Sequence, residues 1–108
     1  TVGCRIGNHV MINIHVVVGH SVEIGDYSVV SPNVTINGEA RLGSVCYVGA
    51  NAFVRNVRVG DYTTIGAGSA VVKDIEGDCV VAGVPAKVIR TGRPQHKLTR
   101  SPRSTESG

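Results

Sequence analysis

The chain has 108 residues, which is room for one domain. It is 42% hydrophobic but only 4% aromatic, with no Trp, one Phe and 14 Gly. This composition excludes a core of large aromatic side chains and favours a thin, regular interior of Val, Ile and Ala. The formal charge is +3, and residues 87–108 hold six of the 11 Lys and Arg residues against a single acid. That end is predicted to be a solvated tail, and we expect no nucleic-acid partner.

A repeat of six residues runs along most of the chain. Cut from Ile6, the sequence reads IGNHVM, INIHVV, VGHSVE, IGDYSV, VSPNVT, INGEAR, LGSVCY, VGANAF, VRNVR, VGDYTT, IGAGSA and VVKDI. The first position is always Ile, Val or Leu, the second is often Gly, and the fifth is small or modest in size. One repeat, VRNVR, has five residues, so we expect a tightened corner near Arg55 and Asn56.

The register of this repeat predicts a triangular coil. Each hexad can form a short strand whose β-branched first residue points inward. We expect the glycine at the second position to turn the corner with a positive φ, and a small fifth residue to fit inside near a vertex. Three hexads close one coil, and like positions stack at about 4.8 Å from one coil to the next. The fold class is therefore all-β, a parallel β-helix of about four triangular coils.

The end of the repeat divides the chain into two parts. The segment EGDCVVAGVPAKVI is predicted to cap the open coil, so residues 1–90 form the β-helix with its C-terminal cap, and residues 91–108 form a basic, disordered tail. The chain also begins inside a repeat, which suggests a missing upstream portion.

The cysteines and the hydropathy predict a cytoplasmic protein. Cys4, Cys46 and Cys79 show no CxxC and no metal-ligand spacing, and an odd count without a signal peptide fits a reducing compartment. The sequence has no apolar run near the ~18 residues that a membrane span needs, so we expect no membrane partner.

The repeat resembles that of the hexapeptide-repeat acyltransferases, whose fold is a left-handed parallel β-helix, over residues 4–90. The run IGAGSAVVKDI followed by VAGVPAKVI is similar to the C-terminal signature of that superfamily. Within it, VVVGHSVEIGDYSVVSPNVTINGEARLG looks most like the sialic-acid O-acetyltransferase and bacillosamine-pathway amino-sugar N-acetyltransferase group. The resemblance implies a cytoplasmic homotrimer with active sites between subunits, acetyl-CoA as co-substrate, and acetyl transfer to an amino or hydroxyl group of a sugar or nucleotide-sugar.

His20 is the candidate catalytic residue. It follows Gly19 at the third place of its hexad and is predicted to point outward, where a histidine is ordinarily only a surface residue. In the resembled group the matching histidine takes a proton from the attacking amine or hydroxyl, a role that contributes about 10²–10⁴-fold and suits an imidazole near neutral pH. Relatives often place an acid next, but here that place is Ser21. The orienting acid is then expected from Glu23 or Asp26, or the site is degenerate.

The sequence is also compatible with two other functions. His15 and His20 have the His-x4-His spacing that the γ-class carbonic anhydrases show for two of three zinc ligands, which implies a metal-dependent hydratase. Their third ligand lies about two coils earlier and their second histidine one place nearer the first hexad position, so we expect no metal here. A non-catalytic trimerising module is favoured by Ser21 and by the missing upstream portion. His9 and His96 are predicted to be solvated.

A groove for coenzyme A is predicted along the glycine- and alanine-rich corners, where side chains leave the backbone N–H and C=O groups uncovered. The resemblance places donor contacts at Val29, Ala50 and Ala67, and Arg90 is expected to help meet the 3′-phosphoadenosine end. The full set of predicted donor-binding residues is Val29, Gly49, Ala50, Ala67, Gly68 and Lys87.

The aromatic side chains are predicted to lie at subunit interfaces. Tyr27, Tyr47, Phe53 and Tyr62 all fall outside the two inward hexad positions, so a four-coil prism would expose them. Because a prism of this size buries little core, we expect neighbouring subunits to cover them.

Overall fold

The computed structural model describes residues 3–93. Within that range the backbone winds as a triangular parallel β-helix of about four coils, with fourteen short strands and no helix. His96 and all but the first three residues of the predicted tail lie outside the described residues. Thr91 still belongs to the last strand, one residue beyond the predicted end of the β-helix domain.

The strands stack into three sheets, which form the three faces of a prism. Face A consists of β1 (Arg5–Ile6), β4 (Glu23–Ile24), β7 (Arg41–Leu42) and β10 (Arg58–Val59). Face B consists of β2 (Met11–Ile12), β5 (Val29–Val30), β8 (Tyr47–Val48), β11 (Thr63–Ile65), β13 (Cys79–Ala82) and β14 (Lys87–Thr91). Face C consists of β3 (Val17–Val18), β6 (Thr35–Asn37), β9 (Phe53–Arg55) and β12 (Ala70–Val71).

The strands pair in parallel with the spacing of the repeat, and the five-residue hexad shortens this spacing by one residue at one corner. Asn37 pairs with Arg55, 18 residues later, whereas Arg41 pairs with Arg58, 17 residues later. The missing residue therefore lies in the turn around Asn56, between face C and face A. This confirms the tightened corner predicted from VRNVR.

The core consists of the residues at the first and fifth hexad positions, as predicted. Val30, Ile36, Val48 and Ile65 at the first position are fully buried, and the small fifth residues pack beside them. At the first coil the same inward positions are partly open, with Ile6 44% exposed, because another coil covers this coil on only one side. The prism therefore has a continuous Val/Ile/Ala interior, in keeping with the composition.

The buried polar groups near the vertices have partners. Ser28 Oγ donates to the carbonyl of Gly43 at 3.0 Å and Thr63 Oγ1 to that of Gly60 at 2.8 Å. The Cys46 thiol donates to the same Gly60 carbonyl at 3.3 Å. Burial raises the pKa of that thiol to about 11, so it stays protonated at neutral pH.

The prediction that second-position glycines take positive φ is wrong. Positive φ occurs instead at the fourth position, mostly in other residue types, and defines three edges of the prism. Edge AB carries His9, Tyr27, Val45 and Tyr62; edge BC carries His15, Asn33, Asn51 and Gly68; edge CA carries Ser21, Glu39 and Asn56. From the second coil onwards most of these residues donate their N–H to a carbonyl of the preceding coil, as from Tyr27 to Asn8 at 2.9 Å, which offsets the cost of a left-handed backbone.

The second-position glycines are needed for a different reason, the close stacking of the coils. A Cβ added to Gly49 would lie 2.6 Å from the backbone N of Ala67 in the next coil. On Gly25 it would lie 2.6 Å from the backbone N of Ser44. Any side chain at these positions would push neighbouring coils apart.

The C-terminal cap is an antiparallel hairpin. Strand β13 continues face B by pairing in parallel with β11, and β14 returns antiparallel to it. The turn between them contains a cis peptide bond before Pro85, and the Ala86 N–H bonds to the carbonyl of Ala70 at 2.8 Å. Arg93 then lies over the ring of Tyr62, 3.6 Å from its centroid, and pairs with Asp78 at 3.0 Å.

Candidate active site

His20 lies on edge CA, immediately before Ser21, and its side chain is exposed. It therefore points outward, as the hexad register predicts. Its Nδ1 is 3.5 Å from Ser21 Oγ, longer than a well-formed hydrogen bond. Within one chain, Ser21 is thus a weak orienting group for the imidazole.

The exposure of the His20 side chain agrees with two local features of the sequence. Gly38 occupies the equivalent third position one coil later and carries no side chain that could cover the imidazole. In the coil after that, the third position is the one missing from VRNVR. The exposure of His20 could therefore have been predicted from the sequence, by comparing the third positions of successive coils.

The two acids predicted to orient His20 are engaged elsewhere. Glu23 lies on face A, where its Oε2 is 4.0 Å from Nε of Arg41. Asp26 lies near edge AB, and its Oδ1 accepts a hydrogen bond from the backbone N–H of Asn8 at 2.7 Å. An acid for His20 is therefore not supplied by either of these residues in a single chain.

The predicted donor-binding residues gather along face B and edge BC. Gly49 and Ala50 stack directly on Ala67 and Gly68, with the Gly68 N–H donating to the Ala50 carbonyl at 2.8 Å. Val29 belongs to β5 on the same face, paired in register with Tyr47. Lys87 and Arg90 lie on β14, the outermost strand of the face B sheet, and are exposed.

His20 and the donor-binding residues lie apart within one chain. Face C separates edge CA, which carries His20, from edge BC, which carries Ala50 and Ala67. Three coil spacings of ~4.8 Å, about 14 Å in all, separate β5 of the second coil from the cap along the axis. A single chain therefore holds the two halves of the predicted site on different edges.

The outward residues of the strands differ sharply from face to face. Face A presents charges, namely Arg5, Glu23, Arg41 and Arg58. Face B presents Met11, Val29, Tyr47, Thr64 and Val80. Face C presents Val17, Thr35, Phe53 and Ala70 along its middle, and the exposed Asn37 and Arg55 at its border with edge CA. A charged residue thus recurs at every third hexad, a pattern visible in the sequence once the register is known.

A polar groove of about 570 Å³ lies on face A and reaches edge CA at Ser21, the residue that follows His20; His20 itself does not line it. The sequence reasoning did not identify it. Its chemically active side chains are Ser21, Glu23, Glu39, Arg41, Arg58 and Asp74.

The other described histidines lie apart from His20. His15 and His20 stand at opposite ends of β3, on edges BC and CA. His9 stacks on Tyr27 at edge AB, with ring centroids 5.0 Å apart and planes within 14°. Residues 3–93 contain no group of three or more His, Cys, Asp or Glu side chains placed to hold a metal ion.

The aromatic residues predicted at subunit interfaces are partly covered by other residues of the same chain. Tyr27 is 60% exposed although it stacks on His9, and Tyr62 lies under Arg93. Tyr47 is partly exposed, and its hydroxyl accepts a hydrogen bond from Ser31 at 3.2 Å. Phe53 is half-buried on face C.

Comparison with known proteins gives a consistent set of relatives. Residues 3–38 match the family model described as bacterial transferase hexapeptide (six repeats). The serine acetyltransferase of Synechococcus elongatus is 36% identical over 98 residues, which cover 81% of this chain and 40% of that protein. The galactoside O-acetyltransferase of Escherichia coli is 36% identical over 97 residues, covering 72% of this chain and 48% of that protein.

Solved structures agree on the fold. The serine acetyltransferase of Brucella abortus in complex with coenzyme A matches with a TM-score of 0.78 and 29% identity, over 85% of this chain and 42% of that one. The chain thus spans less than half the length of these relatives. The predicted left-handed parallel β-helix is confirmed by these neighbours. Residues 3–93 contain no helix that is long and apolar enough to cross a membrane.

Proposed function

We propose that the protein transfers an acetyl group from acetyl-CoA to an amino or hydroxyl group of a sugar or nucleotide-sugar, with His20 as general base. The observation that carries this proposal is the stack formed by Gly49, Ala50, Ala67 and Gly68 on edge BC, with an exposed histidine on edge CA. Similarity to acetyltransferases, one of them in complex with coenzyme A, supports the donor. The sialic-acid O-acetyltransferase and amino-sugar N-acetyltransferase group and a cytoplasmic location stay predictions.

A homotrimer would bring the two edges together. In a threefold arrangement with face C towards the axis, edge CA of one chain lies beside edge BC of the next. The uncharged residues along the middle of face C, such as Phe53 and Val17, support this orientation, with the exposed Arg55 at the border with edge CA. The cleft then has face B of one subunit as one wall and face A of its neighbour as the other.

Each wall of this cleft suits one substrate. The open backbone at Ala50 and Ala67, with apolar Val29 nearby, suits the pantetheine arm of the donor. Lys87 and Arg90 at the end of face B supply positive charge for the 3′-phosphoadenosine group. The face A wall, with His20 at its rim, is left for the acceptor.

One proton passes through His20 in the reaction, first to the imidazole and then from it. The neutral imidazole accepts the proton of the acceptor amine or hydroxyl as its N or O attacks the acetyl carbonyl. Collapse of the tetrahedral intermediate breaks the C–S bond, and the imidazolium returns the proton to the leaving thiolate. The products are the acetylated acceptor and free coenzyme A.

Replacing His20 tests the role of the base. His20→Ala should lower kcat by about 10²–10⁴-fold, because a positioned base contributes that much. The release of free coenzyme A thiol is measured with acetyl-CoA and a panel of amino sugars, UDP-amino sugars and L-serine. His9→Ala, which removes a histidine on edge AB, is the matched control and should keep the wild-type rate.

The mass of the assembly and the affinity for coenzyme A are measured for each variant in the same series. Unchanged turnover in His20→Ala would contradict the catalytic role, whatever the assembly does.

A non-catalytic trimerising module is the second candidate, favoured by the 3.5 Å separation of His20 Nδ1 from Ser21 Oγ and by the engagement of Glu23 and Asp26 elsewhere. Calorimetry with acetyl-CoA separates the two. The enzyme should give a measurable heat of donor binding, whereas the absence of heat at millimolar donor would favour the module. Elemental analysis of the purified protein decides the remaining alternative, a zinc hydratase.

A further inference from the structure

Two arginines stand directly opposite each other on face A. Arg41 on β7 and Arg58 on β10 are Cα partners in register, so their side chains leave the same surface from adjacent coils. Like charges in directly opposite positions of paired strands are destabilising. An anion bound between these guanidinium groups would remove that repulsion.

The acids around the pair leave Arg58 without a side-chain ion partner among the described residues. Glu23 is on the far side of Arg41, with its Oε2 4.0 Å from the Arg41 Nε and both side chains about half-exposed. Asp74 Oδ1 is used by the backbone N–H of Arg58 at 2.9 Å. The Arg58 guanidinium is therefore available to a ligand.

The groove that contains the pair also carries a free acid. Glu39 lines it from edge CA, and no hydrogen bond or ion pair of its side chain is found within residues 3–93. Ser21, the neighbour of His20, lines the same groove. A ligand lying from Arg58 towards Ser21 would thus pass the two guanidinium groups, which have Asp74 and Glu23 as neighbours, then the Glu39 carboxylate. It would end at Ser21, on the edge that also carries His20.

We propose that this groove is the acceptor subsite and that it selects acceptors carrying a phosphate or carboxylate. Arg58 and Arg41 bind that anionic group, Glu39 accepts hydrogen bonds from hydroxyl or ammonium groups, and the nucleophile lies at His20. The inference rests on the proposed function and adds to it an anionic class of acceptor, together with the residues that recognise it.

Binding of inorganic pyrophosphate tests the anion site independently of turnover. Calorimetry should show binding to the wild-type protein and about tenfold weaker binding to Arg58→Gln, since a charge-assisted hydrogen bond is lost. Arg5→Gln, which removes the same charge from face A outside the groove, is the matched control and should bind as the wild type does. Equal affinities of the wild type and Arg58→Gln, or an equal loss in Arg5→Gln, would overturn the proposal.

Two further measurements keep this test specific. Without anion, the melting temperature of Arg58→Gln should equal or exceed that of the wild type, because the repulsion between the arginines is relieved; this also shows that the variant folds. The affinity for acetyl-CoA should be unchanged in Arg58→Gln. A fall in acetyl-CoA affinity would mean that the groove serves the donor phosphates, and the proposal would be wrong.

Matched acceptor pairs distinguish the two sources of the anion. Glucosamine 1-phosphate is compared with glucosamine, and L-serine with L-serinamide. The wild type should favour the charged member of one pair by about tenfold in kcat/KM, and Arg58→Gln should lose that preference. The first pair identifies a phosphate and the second a carboxylate.

The outcomes separate this inference from the proposed function. Turnover that depends on His20 but shows no charge preference in either pair refutes the acceptor subsite and leaves acetyl transfer standing. Pyrophosphate binding that depends on Arg58, without turnover of any acceptor, supports the anion site and counts against acetyl transfer.

Discussion

Cys46 shows how strongly this narrow interior constrains a single side chain. The thiol lies at a fifth hexad position near a vertex, and it donates to the Gly60 carbonyl. Burial, its largest influence, raises its pKa from 9.0 to about 11. The folded state therefore holds the thiol neutral at a pH where the unfolded chain would ionise it.

Alkaline pH should destabilise the protein through this residue. A group whose pKa is higher in the folded state stabilises that state fully below its unfolded pKa, here near 9, and this stabilisation is lost as the pH rises towards 11. At pH about 10.5 the loss amounts to about 2 kcal/mol. Urea unfolding at pH about 8 and about 10.5 measures it, and Cys46→Ala should remove this part of the alkaline loss.

Cys4→Ala is the control for this experiment, because it retains Cys46 and should retain the alkaline loss. If Cys46→Ala and the wild type lost the same free energy of unfolding between the two pH values, the thiol would not be responsible.

The corner between two strands is where glycine has two separate uses in this fold. At the second hexad position glycine permits close stacking, as Gly49 does beneath Ala67. At the fourth position the backbone has a positive φ, but Tyr and Asn residues adopt it where their N–H gains a partner in the preceding coil. Glycine is thus required for steric reasons at the second hexad position, whereas other residue types can replace it at the fourth.

Two glycines of edge BC make this distinction testable. Gly49→Ala should destabilise the protein by roughly 1–3 kcal/mol, because the new Cβ would lie 2.6 Å from the Ala67 nitrogen and the coils must separate. Gly68→Asn should stay within about 0.5 kcal/mol of the wild type, since φ is +71° there, nothing lies near an added Cβ, and Asn51 precedes it in the same column. Chemical denaturation measures both; equal effects would contradict the distinction.

The faces of the prism differ in the chemical character of their outward residues. Face A is charged on its outward side, whereas face C presents Val17, Thr35, Phe53 and Ala70 along its middle and a single charge, Arg55, at its border with edge CA. A surface of the second kind is better covered by another subunit, while a charged wall suits solvent or a polar ligand. The proposed trimer uses this difference by turning face C towards the axis.

A charge introduced on face C should break the assembly. Phe53→Glu would bury an unpaired carboxylate at the axis, at a cost on the order of several kcal/mol. Light scattering should change from three times the chain mass of 11.3 kDa to the mass of one chain. Tyr27→Glu should leave the trimer intact, because this orientation puts edge AB away from the axis and leaves Tyr27 outside the interface that the sequence predicted for it. Dissociation by Tyr27→Glu alone would contradict the orientation of face C.

The repeat alone determined the coil, its number of turns and the inward positions, because a six-residue period with small fifth residues can bury its apolar side chains in few other ways. Two features depended on how coils stack. The positive φ at the fourth position is stabilised, from the second coil onwards, by hydrogen bonds between coils. The facing of Arg41 and Arg58 arises because the turn at Asn56 absorbs the missing residue and shortens the register to 17. The position of a residue in its hexad determines the face on which its side chain lies. Contacts between stacked coils decide which charged side chains face each other and leave His20 exposed on its edge.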